Sequence, residues 1–227
     1  MTRNLGRLYL LILVALLALA VCMIASSCHS SKSSSSSDDD TAADDDSATG
    51  CAPITDPMPP SDQIYYYTDT FTSMADYVAQ YQGKIIAMAE NITMADAAGA
   101  DSFNLEMPQD LVAGDYDLRW DGDPQQNQVM VYFIKGLSIT GTTYDKAFYA
   151  YRGCMTIVET GDVGANFTAT FKNLWMTEAI LDLSSGSIQI IPPGQGVYGM
   201  INNATITCKI AQYSNPPQMS DLCMHTD

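Results

Sequence analysis

A chain of 227 residues with 26 acidic and 10 basic side chains carries a formal charge of −16, and 47% of it is hydrophobic. That balance excludes a nucleic-acid or anionic-membrane binder working through clustered Lys and Arg, since phosphate-rich partners are repelled. The length beyond residue 50 suits one domain with a sizeable core.

Residues 1–27 open with Arg3 and Arg7, run uncharged from Leu8 to Ala25, and end in Ala25-Ser26-Ser27 before Cys28. A basic start, an apolar stretch and small residues ahead of a cleavage point predict a signal peptide. The apolar run approaches the ~20 residues that span a bilayer, so an uncleaved anchor is the competing reading. Ala25-Ser26-Ser27-Cys28 resembles the lipobox of bacterial lipoproteins. The resemblance implies that Cys28 is the lipid anchor and the new N-terminus, and that Cys22, preceded by the bulky Val21, is not. Several acyl chains on one residue hold a protein without a spanning helix, at ~0.8 kcal/mol per buried methylene.

Residues 28–50 continue with a Ser-rich stretch and the triplets Asp38 to Asp40 and Asp44 to Asp46. They have almost nothing apolar to bury and their like charges repel, so they are expected to form a disordered tether. Such a coil spans about 25 Å on average. Once residues 1–27 are gone, the loss of Arg3 and Arg7 takes the formal charge from −16 to −18.

Residues 51–227 are read as one antiparallel β-sandwich or barrel-like domain of the all-β class. Four Cys remain in it, Cys51, Cys154, Cys208 and Cys223. An even count in an exported chain predicts two disulfides, with three connectivities open. Cys208 with Cys223 closes the shortest loop and so loses the least closure entropy. No C-x2-C pair points to zinc, and Cys223-x-His225 is the one close Cys/His pair.

The proline-rich lead-in up to residue 63 is extended, and "IYYYTDTF" at 64–71 is the first predicted strand. Met74, Tyr77, Val78, Tyr81 and Ile85 recur at helical spacing, which predicts a short helix or turn before Gly83 and a strand from Lys84. Two strands around an Ala/Gly/Asp turn follow in "NITMADAAGADSFNLEM". In "GDYDLRW", Tyr116, Leu118 and Trp120 share one face. "QVMVYFIKG" is apolar on both faces. "KAFYAYRGCMTIVETG", "ANFTATFKNLWMTEAIL", "SGSIQIIPPG" and "YGMINNATITCKI" are further strands, with Pro192 and Pro193 ending one of them. Short strands between Gly, Asp, Asn and Pro turns argue for a sandwich or barrel. Residues 214–227 read as a polar tail stapled through Cys223.

The run from "MPQDLVAGDYDLRW" through "FYAYRGCMTIVETGDVGANFTATFKN" to "ATITC" is similar to β-rich domains of uncharacterised secreted bacterial lipoproteins. The resemblance implies a fold and a location and supplies no catalytic residues.

Two groups of residues are candidate contact sites. Asp115, Asp117, Asp121 and Asp123 could form an oxygen cage for calcium, although a solvent-facing strand side followed by a "DGDP" turn is the better reading. Tyr65, Tyr66 and Tyr67 form a candidate aromatic contact patch, to be weighed against ordinary half-buried sheet. Catalysis is poorly supplied: the histidines are His29 and His225, one in the tether and one in the tail, so no general base is placed for a Ser or Cys nucleophile. There is no phosphate loop or dinucleotide fingerprint, and no cofactor is expected.

The sequence therefore predicts a lipid-anchored lipoprotein of the cell envelope, structural, adhesive or interaction-mediating, and not an enzyme. Its partners would be the membrane through the anchor and an envelope protein or glycan, with no nucleic acid. His29 rather than Asp after Cys28 points to the outer membrane by the enteric sorting rule. The alternatives are a carbohydrate- or calcium-binding surface module and an Asp/Glu-dependent glycoside hydrolase.

Overall fold

The computed structural model describes residues 51, 54–91, 99–119, 129–138, 142–184, 187–214 and 218–225. Among them are eleven strands: β1 Ile64–Phe71, β2 Ala75–Tyr81, β3 Lys84–Asn91, β4 Ala100–Pro108, β5 Gly114–Asp117, β6 Met130–Leu137, β7 Lys146–Glu159, β8 Asn166–Asp182, β9 Ser187–Ile190, β10 Tyr198–Gln212 and β11 Leu222–Met224. The helical residues among those described are two single 3-10 turns, Ser61–Gln63 and Met219–Asp221. The all-β class holds. Strand β1 coincides with "IYYYTDTF", and β9 stops just ahead of Pro192 and Pro193. The signal peptide, the tether and Cys28 lie outside the described residues.

The reading of residues 75–81 is corrected. Residues 75–81 are strand β2, not a short helix, and a two-residue turn at Gln82 and Gly83 joins them to β3. Both turn residues have positive φ, +50° and +79°, as the commonest two-residue hairpin turn requires. The helical spacing misleads because Tyr77, Val78 and Ala79 are all buried. A strand covered on both faces loses the alternation that identifies strands.

Hydrogen-bonded neighbours run β10, β2, β3, β4, β6, β7, β8 and back to β10, so seven strands close into a barrel-like wall. Seven directions cannot alternate around a ring, so one neighbouring pair must be parallel. That pair is β10 with β2, over residues 210–212 and 78–80. Strand β1 also runs parallel to β10, ahead of β2 on the same edge. The sheet is therefore mixed where the sequence predicted an antiparallel one.

Period-two alternation fills the interior. Phe103, Leu105 and Met107 of β4, Val131 and Phe133 of β6, Phe148 of β7, and Phe167, Ala169 and Phe171 of β8 all point inward into one buried cluster. Phe71 at the end of β1 packs on Phe103 and Phe133 at ring distances of 5.8 and 5.7 Å. Each fully buried Phe contributes roughly 2–3 kcal/mol of transfer free energy. The barrel interior is thus a packed core.

Strand β7 changes neighbours along its length. It pairs with β6 over residues 146–149 and with β5 over residues 154–157, with register shifts between. Gly153 sits at that change with φ +145°, where an added Cβ would lie 2.7 Å from Leu174. Beside it Cys154 is bonded to Cys51, and the other disulfide joins Cys208 to Cys223. The connectivity left open by the sequence is thereby settled. The lead-in lies across the outside of the wall, where Ile54 and Ile64 pack on Tyr151, Trp175, Tyr198 and Met200 and Asp56 pairs with Arg152.

Candidate functional site

With the interior filled, chemistry is left to the surface and to the barrel seam. Strand β1 pairs with β10 on one edge and has no strand partner on its other edge among the described residues. A register irregularity between Ile64 and Tyr66 breaks its alternation at the three predicted tyrosines. Tyr66 turns inward and stacks on Phe133 at 4.6 Å with the rings 22° apart. Burial pushes its phenol up to about 12, reinforced by the charge of Asp101. Tyr65 lies 6.2 Å from the buried ring of Phe148 yet is 50% exposed, and Tyr67 is 57% exposed. The structure thus divides the patch: Tyr65 and Tyr67 are more than a third exposed, and the half-buried Tyr66 packs against the core.

The neighbouring strand holds the outward side chains in place. The Asn202 amide of β10 donates to the Tyr67 hydroxyl at 2.9 Å and to the Asp69 carboxylate at 2.8 Å. The Asn203 amide donates to the Asp69 backbone carbonyl at 3.1 Å. At the other end of β1, the Lys146 ammonium lies 5.9 Å over the Tyr65 ring while paired with Glu178. Partial burial raises the Glu178 carboxyl, but the Lys146 hydrogen bond, the Val197 amide and the Lys146 charge outweigh it and hold it below its ordinary value.

Of the predicted calcium ligands, Asp115 and Asp117 have protein partners of their own. Asp115 accepts a hydrogen bond from the Thr156 hydroxyl and Asp117 lies 3.9 Å from Arg119. Asp121 and Asp123 lie outside the described residues, as does Trp120. Among the described residues no group of three His, Cys, Asp or Glu side chains is placed to hold a metal ion.

The tail brings together residues that sequence reasoning left apart. Strand β11 pairs with β2, and His225 just beyond it reaches Asp76 with Nε2 3.0 Å from the carboxylate. Asp76 is 1% exposed. It accepts from the Ser73 hydroxyl at 2.5 Å and from the Thr207 amide at 2.8 Å. Ser, Asp and His therefore meet in an order unlike that of a nucleophilic triad. The hydroxyl donates to the carboxylate, and among the described residues no imidazole sits against it to take its proton. This cluster acts as a seam closure, because Asp76 satisfies an amide of β10 where no strand carbonyl is offered. The signal available in the sequence was Cys223, two residues before His225, whose disulfide delivers the tail to Cys208.

One buried acid stands on the outer face of β3. Glu90 is 2% exposed, its Oε1 has no hydrogen-bond partner among the described residues, and Ser102 faces it across the strand pair. Burial lifts its carboxyl to about 7. A groove between the lead-in and β10 is lined by Pro57, Tyr151, Arg152, Pro192, Pro193 and Tyr198. Its two tyrosines are already covered, at 7% and 6% exposure.

Comparison of the chain with protein-family models, with curated proteins and with solved structures finds no match in any of the three.

Proposed function

We propose that this protein is a lipid-anchored lipoprotein of the bacterial cell envelope whose β domain mediates contacts and performs no catalysis. The observation that carries the reading is a solid barrel with Tyr65 and Tyr67 displayed on an edge strand. A filled interior leaves no room for a small-molecule ligand, so recognition falls to the outside. Aromatic rings held in solvent are the usual anchors of such recognition. The Ala25-Ser26-Ser27-Cys28 stretch, the Ser- and Asp-rich segment after it and two disulfides support export and tethering.

Intact mass of the detergent-extracted protein tests the anchor. A chain starting at Cys28 with added acyl mass, and a further gain of about 4 Da on reduction of two disulfides, is the expected result. A chain starting at Met1, or one cut after Ser27 without lipid, removes the lipoprotein reading. A carbohydrate-binding module is the second reading, favoured by the Asn202 bridge between Tyr67 and Asp69.

A further inference from the structure

We infer that the C-terminal tail is a redox-sensitive latch on the barrel seam. With the Cys208–Cys223 disulfide intact, residues 218–225 cover the edge of β2; with it reduced, they leave that edge while the barrel stays folded. The inference goes beyond the contact-domain reading and does not depend on it. It starts from how little else holds the tail. Strand β11 forms three ladder pairs with β2, Leu222 with Tyr77, Cys223 with Asp76 and Met224 with Ala75. The His225 amide adds one bond to the Met74 carbonyl at 3.0 Å. Of the side chains described in residues 218–225, none is buried. A three-residue strand loses about as much backbone entropy on docking as its few hydrogen bonds return, so it does not stay docked unaided. The disulfide supplies the difference by keeping the tail beside its site.

The barrel keeps its own half of the junction. Asp76 accepts from the Ser73 hydroxyl and the Thr207 amide, and both donors belong to the barrel and remain when the tail departs. Strand β2 stays paired with β3 over residues 75–81 and with β10 over residues 78–80. What Asp76 loses is the contact with His225, whose side chain is 38% exposed. Cys208 is 3% exposed, and its sulfur lies 3.5 Å from the Asp76 carbonyl, so the thiol left by reduction has an acceptor inside the fold. Opening is therefore confined to the seam.

The chemistry is thiol–disulfide exchange with a dithiol reductant. Cys223 is the accessible end of the bond, half-buried where Cys208 is buried. A thiolate of the reductant attacks the Cys223 sulfur, a mixed disulfide forms, and Cys208 leaves and takes up a proton. The second thiolate of the reductant then attacks the reductant's own sulfur in that mixed disulfide, and Cys223 is released as a thiol. Two electrons and two protons pass to the protein, and the reductant becomes a cyclic disulfide. An exported chain would therefore latch only after leaving the reducing cytosol.

Hydrogen exchange of the full chain in detergent, followed amide by amide before and after treatment with dithiothreitol, tests the latch. Exchange at residues 75–77 and 222–225 should rise roughly 100-fold on reduction, the factor that closing a loop of this length supplies. Cys223→Ser, which leaves Cys208 in place, should show the same rise without reductant while β4, β6 and β8 stay protected. Cys51→Ser with Cys154→Ser should leave the tail protected. A tail that exchanges equally slowly in the oxidised and reduced chains overturns the proposal. Exchange that spreads through β4, β6 and β8 in Cys223→Ser overturns it too, because the bond then holds the whole barrel. So does a tail freed as fully by loss of Cys51–Cys154. Each of these results leaves the anchor reading standing, because acyl mass does not depend on the tail.

Discussion

The imidazole Nε2 of His225 lies 3.0 Å from the carboxylate of Asp76, a buried side chain that also accepts the Ser73 hydroxyl and the Thr207 amide. Three donors thus converge on one acid where β2 parts from β10, and the tail that supplies one of them is held by the Cys208–Cys223 disulfide. The relationship explains how a sheet with an imperfect seam stays closed: a side chain replaces the missing ladder.

Asp76→Ala should destabilise the domain by about 3 kcal/mol, since it leaves buried donors without an acceptor. His225→Ala should cost under ~1 kcal/mol, because the imidazole is more than a third exposed and the pairing is screened by water. Urea denaturation of the oxidised chain gives both values. Equal losses for the two variants would show that the seam depends on the tail rather than on the acid.

Glu90 makes stability depend on pH in a direction opposite to most carboxylates. Its folded value of about 7 lies above the ordinary 4.5, and the cause is burial. Between those values the folded state keeps a proton that the unfolded state has lost, so stability falls as pH rises. It is full below about 4.5 and reduced by about 3 kcal/mol above 7. Glu90→Gln should flatten this part of the profile. Urea midpoints for both proteins from pH 4.5 to 8 check it, and a wild-type midpoint that parallels the variant throughout would refute the assignment.

The two disulfides should differ in worth. Cys51–Cys154 closes a separation of 103 residues and Cys208–Cys223 one of 15. Chain entropy then predicts about 4.7 kcal/mol for the first and about 3 kcal/mol for the second. Cys51→Ser with Cys154→Ser should therefore lower stability more than Cys208→Ser with Cys223→Ser, as read from denaturation of the paired variants. The reverse ranking would mean that the tail contributes more through the seam than through loop closure.

Phe133 is the test of the packed interior. It is fully buried and touches the rings of Tyr66, Phe71 and Phe148. Phe133→Ala should cost about 3–5 kcal/mol. Tyr65→Ala, on the same edge of the barrel but exposed, should change stability by no more than ~0.5 kcal/mol. Thermal and urea unfolding of the two variants separate a core ring from a displayed one.

What the chain alone determined was local. Gly, Asp, Asn and Pro turns between short β-prone runs settled the class, because turn chemistry depends on neighbouring residues only. The alternation in "NFTATF" and "NATITC" placed strands β8 and β10. Where both faces are covered, as at Tyr77, Val78 and Ala79, alternation vanishes and the local signal pointed to a helix. Closure, parity and pairing were decided by the tertiary structure. A ring of seven strands needs one parallel pair, and no property of β2 or β10 taken separately announces it. Likewise Cys51 meets Cys154 because β7 bends at Gly153, not because of their spacing. Asp76 meets His225 because a disulfide returns the tail to the seam. The division of Tyr65, Tyr66 and Tyr67 follows the same logic: the sequence shows three equal rings, and the pairing of β1 with β10, with its irregularity after Ile64, decides that Tyr66 is the half-buried one on Phe133.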